Sequence, residues 1–292
     1  MGQVADLLRS LAVRPSKALG QNFLVDGAVA RRSVAAVGPG DRVVEIGPGL
    51  GALTERLLET GAEVHAIELD WRLFAFLRAG LAERFPGKLF LIQGDAVKLP
   101  RADLSEGDRE PYAVVANLPY AITSPWLDAL LQQPLPQSMV LLVQLEAADR
   151  ILAPECSRDR GAIAVRVGSA FQCVELHQIA PSCFYPRPRV RSALLRLCRR
   201  PDPVLFSSPA RRILRHCFHV RRKQLRTSVA AIGDPALRPL AERWLAELQG
   251  AGVDPLARPE DLSVDNWRRL EEINFHLQSP AADAKSARGS PW

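Results

Sequence analysis

Hydrophobic and polar positions follow two different periods in the first two-thirds of the chain. Short apolar runs predict buried strands, and leucines at helical spacing follow them, as in 52–59 and 71–84. Five runs predict strands of one sheet, at 43–46, 63–68, 89–93, 112–116 and 139–143. Two later runs, at 171–179 and 193–197, predict antiparallel strands. The alternation of strands and helices predicts an α/β fold with a mostly parallel sheet.

The pattern changes after residue 200. Residues 201–209 contain three prolines and two serines, a composition typical of a linker. Beyond it, four apolar residues share one stripe of a helical wheel: Leu214, Phe218, Leu225 and Val229. We therefore predict a first domain over residues 1–200 that includes an N-terminal lead, a small all-helical domain over 201–278 and a disordered tail over 279–292.

A glycine-rich turn, Gly47-Pro48-Gly49-Leu50-Gly51, directly follows the first predicted strand. Strand, glycine turn and helix in this order are typical of nucleotide-binding units, although a glycine turn alone is equally common as a tight turn. The next three strands end in Glu68, Asp95 and Asn117. Because the carboxyl ends of parallel strands share one edge, we expect these three polar side chains to form a nucleotide site with the turn.

The spacing of the glycines distinguishes between two classes of enzyme, those that transfer hydride and those that transfer methyl groups. A dinucleotide fingerprint has its third glycine three positions after the second, whereas here Gly51 is two positions after Gly49 and residue 52 is alanine. The tetrapeptide Asn117-Leu118-Pro119-Tyr120 resembles the Asn/Asp-Pro-Pro-Tyr signature of enzymes that methylate exocyclic amines of bases. Together these features favour S-adenosylmethionine (SAM) as the cofactor.

Four motifs occur in an order and spacing that resemble the ribosomal RNA adenine dimethyltransferases. They are 20–24, 45–51, 67–70 and 117–120, and the resemblance extends over residues 14–275. It implies a Rossmann-like SAM-dependent methyltransferase domain followed by a small helical domain. The implied activity is dimethylation of N6 of two adjacent adenines in small-subunit ribosomal RNA.

The resemblance also implies roles for individual residues. The cofactor-binding set is Gln21, Asn22, Leu24, Gly47, Gly49, Glu68, Asp95 and Asn117. Glu68 would take the ribose and Asp95 the adenine amino group of the cofactor. The catalytic set is Asn117, Leu118, Pro119, Tyr120 and Phe184.

Chemistry explains why the catalytic set suits the reaction. The lone pair of adenine N6 is delocalised, and acceptors for its two N–H bonds, here the Asn117 side-chain oxygen and the Leu118 carbonyl, favour a more nucleophilic amine. Tyr120 would stack on the extruded base. Phe184, on the proline-rich loop 181–190, would face the base from the opposite side, and the alternative is that Phe184 packs in the core.

Charge indicates an anionic partner. The net charge is +6, and residues 211–226 hold seven Lys/Arg and no acid. A solvated helix face is the alternative, but seven cations without a counter-charge favour phosphate binding. The resemblance places RNA contacts at Arg221, Arg222, Lys223 and Arg226. The expected partner is small-subunit rRNA in a pre-assembled small ribosomal subunit, bound by a monomer.

Several positions depart from the family pattern, namely Ala121, Leu145, Arg191 and His219-Val220. They leave Glu68, Asp95 and Asn117 intact but put details of RNA contact in doubt. One alternative is a large-subunit rRNA adenine methyltransferase, against which the Gly-Pro-Gly-Leu-Gly and Asn-Leu-Pro-Tyr motifs and the basic C-terminal part argue. The other is a non-catalytic ribosome-assembly factor or mitochondrial-type transcription factor, against which the intact site residues argue.

Composition narrows the class of protein further. Hydrophobic residues make up 47% of the chain, but no apolar run approaches the ~18 residues of a membrane span. The five cysteines form no Cys-x-x-Cys pair, which favours free thiols in a reducing cytoplasm. His216, Cys217 and His219 lie close together in sequence, but a zinc site normally needs four ligands, so no metal is expected.

Overall fold

The computed structural model describes residues 2–16, 20–105, 107–119, 121–220 and 223–278. Three residues with predicted roles, Tyr120, Arg221 and Arg222, lie outside the described residues, as does the predicted tail 279–292. None of the described helices is both long enough and apolar enough to cross a membrane.

The chain divides into two compact units, with breaks at 149/150, 170/171 and 201/202. The last break lies at the predicted linker. The segment 150–170 differs from the prediction, because it belongs to the second, helical unit and interrupts the first. The reason is packing: Val165 is fully buried in the same apolar cluster as Phe206 and Leu214 of the second unit.

The first unit contains the strands. They are β1 Phe23–Leu24, β2 Arg42–Ile46, β3 Glu63–Glu68, β4 Leu89–Gln93, β5 Ala113–Asn117, β6 Ser138–Gln144, β7 Phe171–Ile179, β8 Phe184–Tyr185 and β9 Ser192–Arg199. Seven form one sheet in the order β4-β3-β2-β5-β6-β9-β7. The first five of these strands are parallel to one another. Strand β9 is antiparallel to both of its neighbours, β6 and β7, which agrees with the antiparallel pairing predicted for the two late strands. β1 and β8 form a separate antiparallel pair.

Helices connect and flank these strands. They are α1 Gly2–Ser10, α2 Gly27–Val34, α3 Thr54–Glu59, α4 Trp71–Leu77, α5 Thr123–Leu130 and α6 Leu145–Ile151, which crosses the first break. A π-helical turn, Arg78–Ala82, continues α4. Gly51 has φ +85°, and a Cβ there would lie 2.8 Å from Leu81 Cδ1. The third glycine of the turn is therefore required for packing against this helix.

The second unit is helical, with α7 Ala162–Ala170, α8 Ser208–His219, α9 Leu225–Ala230, α10 Arg238–Gly250 and α11 Val264–Gln278. Trp244 and Trp267 are fully buried at its centre, with ring centroids 4.7 Å apart. The predicted apolar stripe is confirmed, since all four of its residues are buried in this core. Glu271 of α11 accepts hydrogen bonds from the Ser207 N–H and hydroxyl at 2.7 and 2.8 Å, which links the residue before α8 to α11.

A buried histidine joins charged groups at the amino ends of β2 and β3. His65 is 5% exposed, and its Nδ1 and Nε2 lie 2.7 Å from Asp103 Oδ1 and 2.8 Å from Glu63 Oε1. Its ring stacks on Phe90, and Arg42 completes the chain of charges by binding Glu63. Burial opposes protonation, but the two carboxylates outweigh it, so the pKa of His65 lies above its usual value.

We expect His65→Gln to destabilise the protein by about 1–3 kcal/mol at pH 6 and by less at pH 9. Because the pKa of folded His65 is raised, the stabilisation is fully present below the unfolded pKa and is lost as pH rises through the folded pKa. Urea unfolding of both proteins at the two pH values measures the difference. An equal penalty at both values would mean that His65 acts only through packing on Phe90.

Candidate cofactor and acceptor site

A cleft lies at the carboxyl ends of β2, β3 and β5. Three segments form its walls: the lead at 20–24, the glycine turn at 47–50 and the end of β5 at 117–119. Glu45 and Glu68 also line it. Its position is the usual ligand edge of such a sheet.

Most of the predicted site residues meet in this cleft. Those that line it are Gln21, Asn22, Leu24, Gly47, Gly49, Glu68, Asn117, Leu118 and Pro119. Asp95 is not among them. It lies at the same sheet edge, two residues beyond the pair Gln93–Glu68, and its carboxylate accepts the N–H of Val97 at 2.9 Å. Asp95 thus closes its own turn beside the cleft, and its contact with a cofactor stays a prediction.

Glu68 fastens the glycine turn to the end of β3. Its Oε2 accepts from the N–H of Gly49 at 3.0 Å and its Oε1 from the N–H of Asp70 at 2.9 Å. Gly47 and Gly49 have φ of +66° and +62°, which favours glycine at both positions. A Cβ on Gly49 would also lie 3.2 Å from the Phe23 ring. The turn is therefore held by a carboxylate that keeps further lone pairs for a ligand.

Asn117 has a fixed orientation. Its Nδ2 donates to the carbonyl oxygen of Asn22 at 2.9 Å, across 95 positions of sequence. Within the described residues, neither Asn117 Oδ1 nor the Leu118 carbonyl accepts a hydrogen bond. The carbonyl of Pro119 is used by its own turn, accepting from the N–H of Ile122 at 3.0 Å. Two acceptors are thus available side by side, as a primary amine requires.

Glu45 is a site residue for which sequence reasoning gave no role. It is 1% exposed, and its Oε2 has no hydrogen-bond partner within the described part of the chain. Burial raises its pKa to about 8 against the opposing effect of Thr54, and the charge of Glu68 adds to the rise. The signal was available, since Glu45 is the one acidic residue inside the apolar run before the glycine turn.

The Glu45 carboxyl allows the fit between the cleft and SAM to be judged. SAM carries a sulfonium and an ammonium group, and a buried carboxyl with one unpartnered oxygen is the type of group that a cation would satisfy. The Glu45 and Glu68 carboxyls, the glycine turn and the Asn22 backbone line the cleft together and provide acceptors of the right kind. The residues present therefore fit the cofactor.

The predicted position of Phe184 needs correction. Its side chain is 2% exposed and packs in the main apolar cluster with Leu24 and Ile179. The cause is strand pairing, because Phe184 lies opposite Leu24 in the β1–β8 pair, which turns the ring inward. The alternative, in which Phe184 packs in the core, describes this structure. Tyr120, the other predicted stacking ring, lies outside the described residues.

The basic stretch 211–226 keeps much of its charge exposed. Arg212, Arg215, Lys223 and Arg226 are exposed. Arg212 binds Asp234 at 2.5 Å, while the Arg226 Nε donates to Gln224 at 3.0 Å. Within the described ranges, no group of three His, Cys, Asp or Glu residues could hold a metal ion.

Comparison with known proteins agrees with this geometry. Residues 13–272 match the family model "Ribosomal RNA adenine dimethylase". The chain is 46% identical over 268 residues to Ribosomal RNA small subunit methyltransferase A of Opitutus terrae, covering 91% of this chain and 95% of that protein. It is 38% identical to the protein of the same name from Moorella thermoacetica, covering 94% and 98%.

Two solved structures are similar over most of their length. One is a dimethyladenosine transferase from Plasmodium falciparum, with a TM-score of 0.71, 24% identity and coverage of 87% of this chain and 98% of that one. The other is the 23S rRNA methyltransferase ErmE, with a TM-score of 0.61, 28% identity and coverage of 86% and 99%. The first shows the fold. From the family model and the curated relatives, it follows that this chain belongs to the ribosomal RNA adenine dimethylase family.

Proposed function

We propose that this chain dimethylates N6 of two adjacent adenines in small-subunit ribosomal RNA, with SAM as the methyl donor. The observation that carries the proposal is the Asn117 amide at the cleft, whose Nδ2 donates to the Asn22 carbonyl and whose Oδ1 accepts no hydrogen bond within the described residues. The choice of small-subunit RNA is supported by the relatives from Opitutus terrae and Moorella thermoacetica, which are small subunit methyltransferases by name.

The chemistry follows from how the chain holds the acceptor. SAM, when bound, supplies a methyl group that is already activated on a sulfonium. Asn117 Oδ1 and the Leu118 carbonyl would each accept one N–H of the target amine, which orients its lone pair and opposes its delocalisation into the ring. Glu45 would face the cationic part of the cofactor and Glu68 its ribose. The methylated amine is acidic, so solvent can take its proton.

The helical unit supplies RNA affinity in this proposal. Its exposed cations suit a phosphate backbone, and such contacts carry little sequence information. We therefore propose that a monomer recognises folded rRNA in a pre-assembled small subunit in the cytoplasm. The first unit would then methylate whichever adenine is presented, which allows two neighbours to be modified in turn.

Primer extension tests the proposed function. Reverse transcriptase stops at dimethyladenine, so rRNA from a strain that lacks this chain should lose two adjacent stops in the small-subunit RNA. Expression of the wild-type chain should restore them. Stops restored in large-subunit RNA instead would assign the alternative activity, and no change in either RNA would favour a non-catalytic assembly factor.

Glu68→Ala is expected to weaken SAM binding by about 1–3 kcal/mol, because it removes ribose hydrogen bonds. Glu68→Gln should cost less, since its amide oxygen can still accept from Gly49 or Asp70, which Glu68 binds now. Calorimetric titration of SAM into each protein gives the affinities. If both variants bound SAM as tightly as the wild type, Glu68 would only support the turn.

We expect the triple variant in which alanine replaces Arg222, Lys223 and Arg226 to bind small subunits more weakly. The slope of log affinity against log salt concentration should also become shallower, by roughly two. SAM affinity should not change. A matched control removes three exposed cations of the first unit, Arg31, Lys88 and Arg109. If filter binding across a salt series gave the same slope for both triple variants, the cations of the stretch 211–226 would be only solvated.

A further inference from the structure

A second groove lies beside the cofactor cleft in the first unit. The lead, through Pro15 and 20–22, forms one wall, and the loop 186–190 forms the other, with Gln144 between them. Residues 20–22 line both cavities. Since Asn117 donates to the carbonyl of Asn22, the groove opens next to the predicted position of the acceptor amine.

The groove is positively charged. Arg187 and Arg189 on its loop are exposed, and neither has a hydrogen-bond or ion-pair partner within the described residues. Among the described residues, no Asp or Glu lines it. Two arginines without a partner in the described part of the chain favour an anionic occupant with several charges.

The loop is fixed in position. Phe184 anchors one end through the core, and the Arg191 carbonyl anchors the other by accepting the N–H of Leu145 at 3.0 Å. Pro186 and Pro188 restrict the backbone between them. The arginines therefore extend from a rigid support, which lowers the entropy lost when they bind. Val190, 45% exposed, adds an apolar surface that could contact a ribose or base.

We propose that this groove binds the single-stranded RNA segment next to the acceptor adenine, with Arg187 and Arg189 as positioning residues on its phosphates. The inference rests on the proposed function for the identity of the RNA. An adenine can enter the cleft only if it leaves its stack, and holding the adjacent phosphates stabilises that extruded form. This task differs from that of the helical unit, because it acts at the nucleotides that flank the target.

The test uses the full chain and small subunits purified from a strain that lacks this methyltransferase. In Arg187→Ala/Arg189→Ala, kcat/KM for these subunits should fall by about a hundredfold, at roughly tenfold for each charge-assisted contact. The salt slope of binding should fall by about 1.4, the value for two contacts to a single strand. SAM affinity should stay within about twofold. Arg187→Lys/Arg189→Lys should recover part of the loss, since lysine keeps the charge without the planar fork.

The matched control is Lys88→Ala/Arg109→Ala, which removes two exposed cations elsewhere on the first unit whose side chains have no hydrogen-bond or ion-pair partner within the described residues. Phosphate footprinting with ethylnitrosourea on the enzyme–subunit complex reads the contacts independently of methylation. The wild type and the control should protect phosphates adjacent to the target adenines, and the double arginine variant should lose this protection.

The outcomes separate the groove from the proposed function. If the double arginine variant kept the protections and the kcat/KM of the control, the groove would not bind RNA, even with methylation intact. If the wild type protected these phosphates but methylated no small subunit, the proposed activity would be wrong and the groove assignment would stand. Loss of activity without loss of any protection would point to a protein or other anionic partner, and would also overturn the proposal.

Discussion

Asn117→Ala should lower the rate of methyl transfer by about 10²–10³-fold and change SAM affinity by less than about threefold. This is the usual cost of removing one hydrogen-bond group that acts on the reacting centre. Asn117 Oδ1 has no protein partner within the described residues, so its acceptor capacity is available to the target amine. An interaction that matters most in the transition state lowers kcat more than it raises any dissociation constant. Single-turnover transfer to small subunits and calorimetry with SAM give the two values.

Asn117→Asp separates the acceptor from the scaffold role of this side chain. The aspartate keeps an acceptor oxygen but cannot donate to the Asn22 carbonyl, the bond that holds the lead at 2.9 Å. Its transfer rate should lie between those of the wild type and the alanine variant, with SAM affinity close to that of the alanine variant, which also lacks the bond to Asn22. If alanine reduced rate and SAM affinity equally, Asn117 would mainly build the cofactor cleft.

The sheet and its ligand edge could be predicted because their signals are local. Each apolar run is continuous in sequence. A polar residue at or just after the end of such a run, such as Glu68, Asp95 or Asn117, therefore lies at the carboxyl edge of the parallel sheet. The structure places all three there, although Asp95 binds its own turn. The orientation of Asn117 could not be predicted, since it depends on a bond to Asn22 that spans 95 positions.

Phe184 and the segment 150–170 show where local patterns fail. The prolines of the loop predict a stiff, extended chain. The direction in which the Phe184 side chain points is decided instead by strand pairing with Leu24, which lies 160 residues earlier. The apolar residues of α7 fit a crossover helix of the sheet as well as a helix of the second unit. Only the burial of Val165 among Phe206 and Leu214 assigns it to the second.

The burial of Glu45 couples its protonation to the binding of a cation in the cleft. A carboxyl with one oxygen unpartnered within the described residues is costly when ionised, which is why its pKa rises to about 8. At pH 7 the free protein therefore holds Glu45 mainly neutral. A cation bound in the cleft favours the carboxylate and lowers this pKa again, so cofactor binding and proton release are linked. Burial also raises the pKa of Glu68.

The affinity for SAM should accordingly rise by up to about tenfold per pH unit below pH 8 and level off above it. Glu45→Gln removes the titrating group, so its affinity should depend less on pH, and its deficit relative to the wild type should be largest at pH 8.5. The variant should be at least as stable as the wild type there, because it avoids a buried carboxylate. Calorimetry in two buffers of different ionisation enthalpy counts the protons released on binding. Equal proton release by the wild type and Glu45→Gln would mean that Glu45 stays neutral in the complex and that another group, such as Glu68, faces the cofactor's charge.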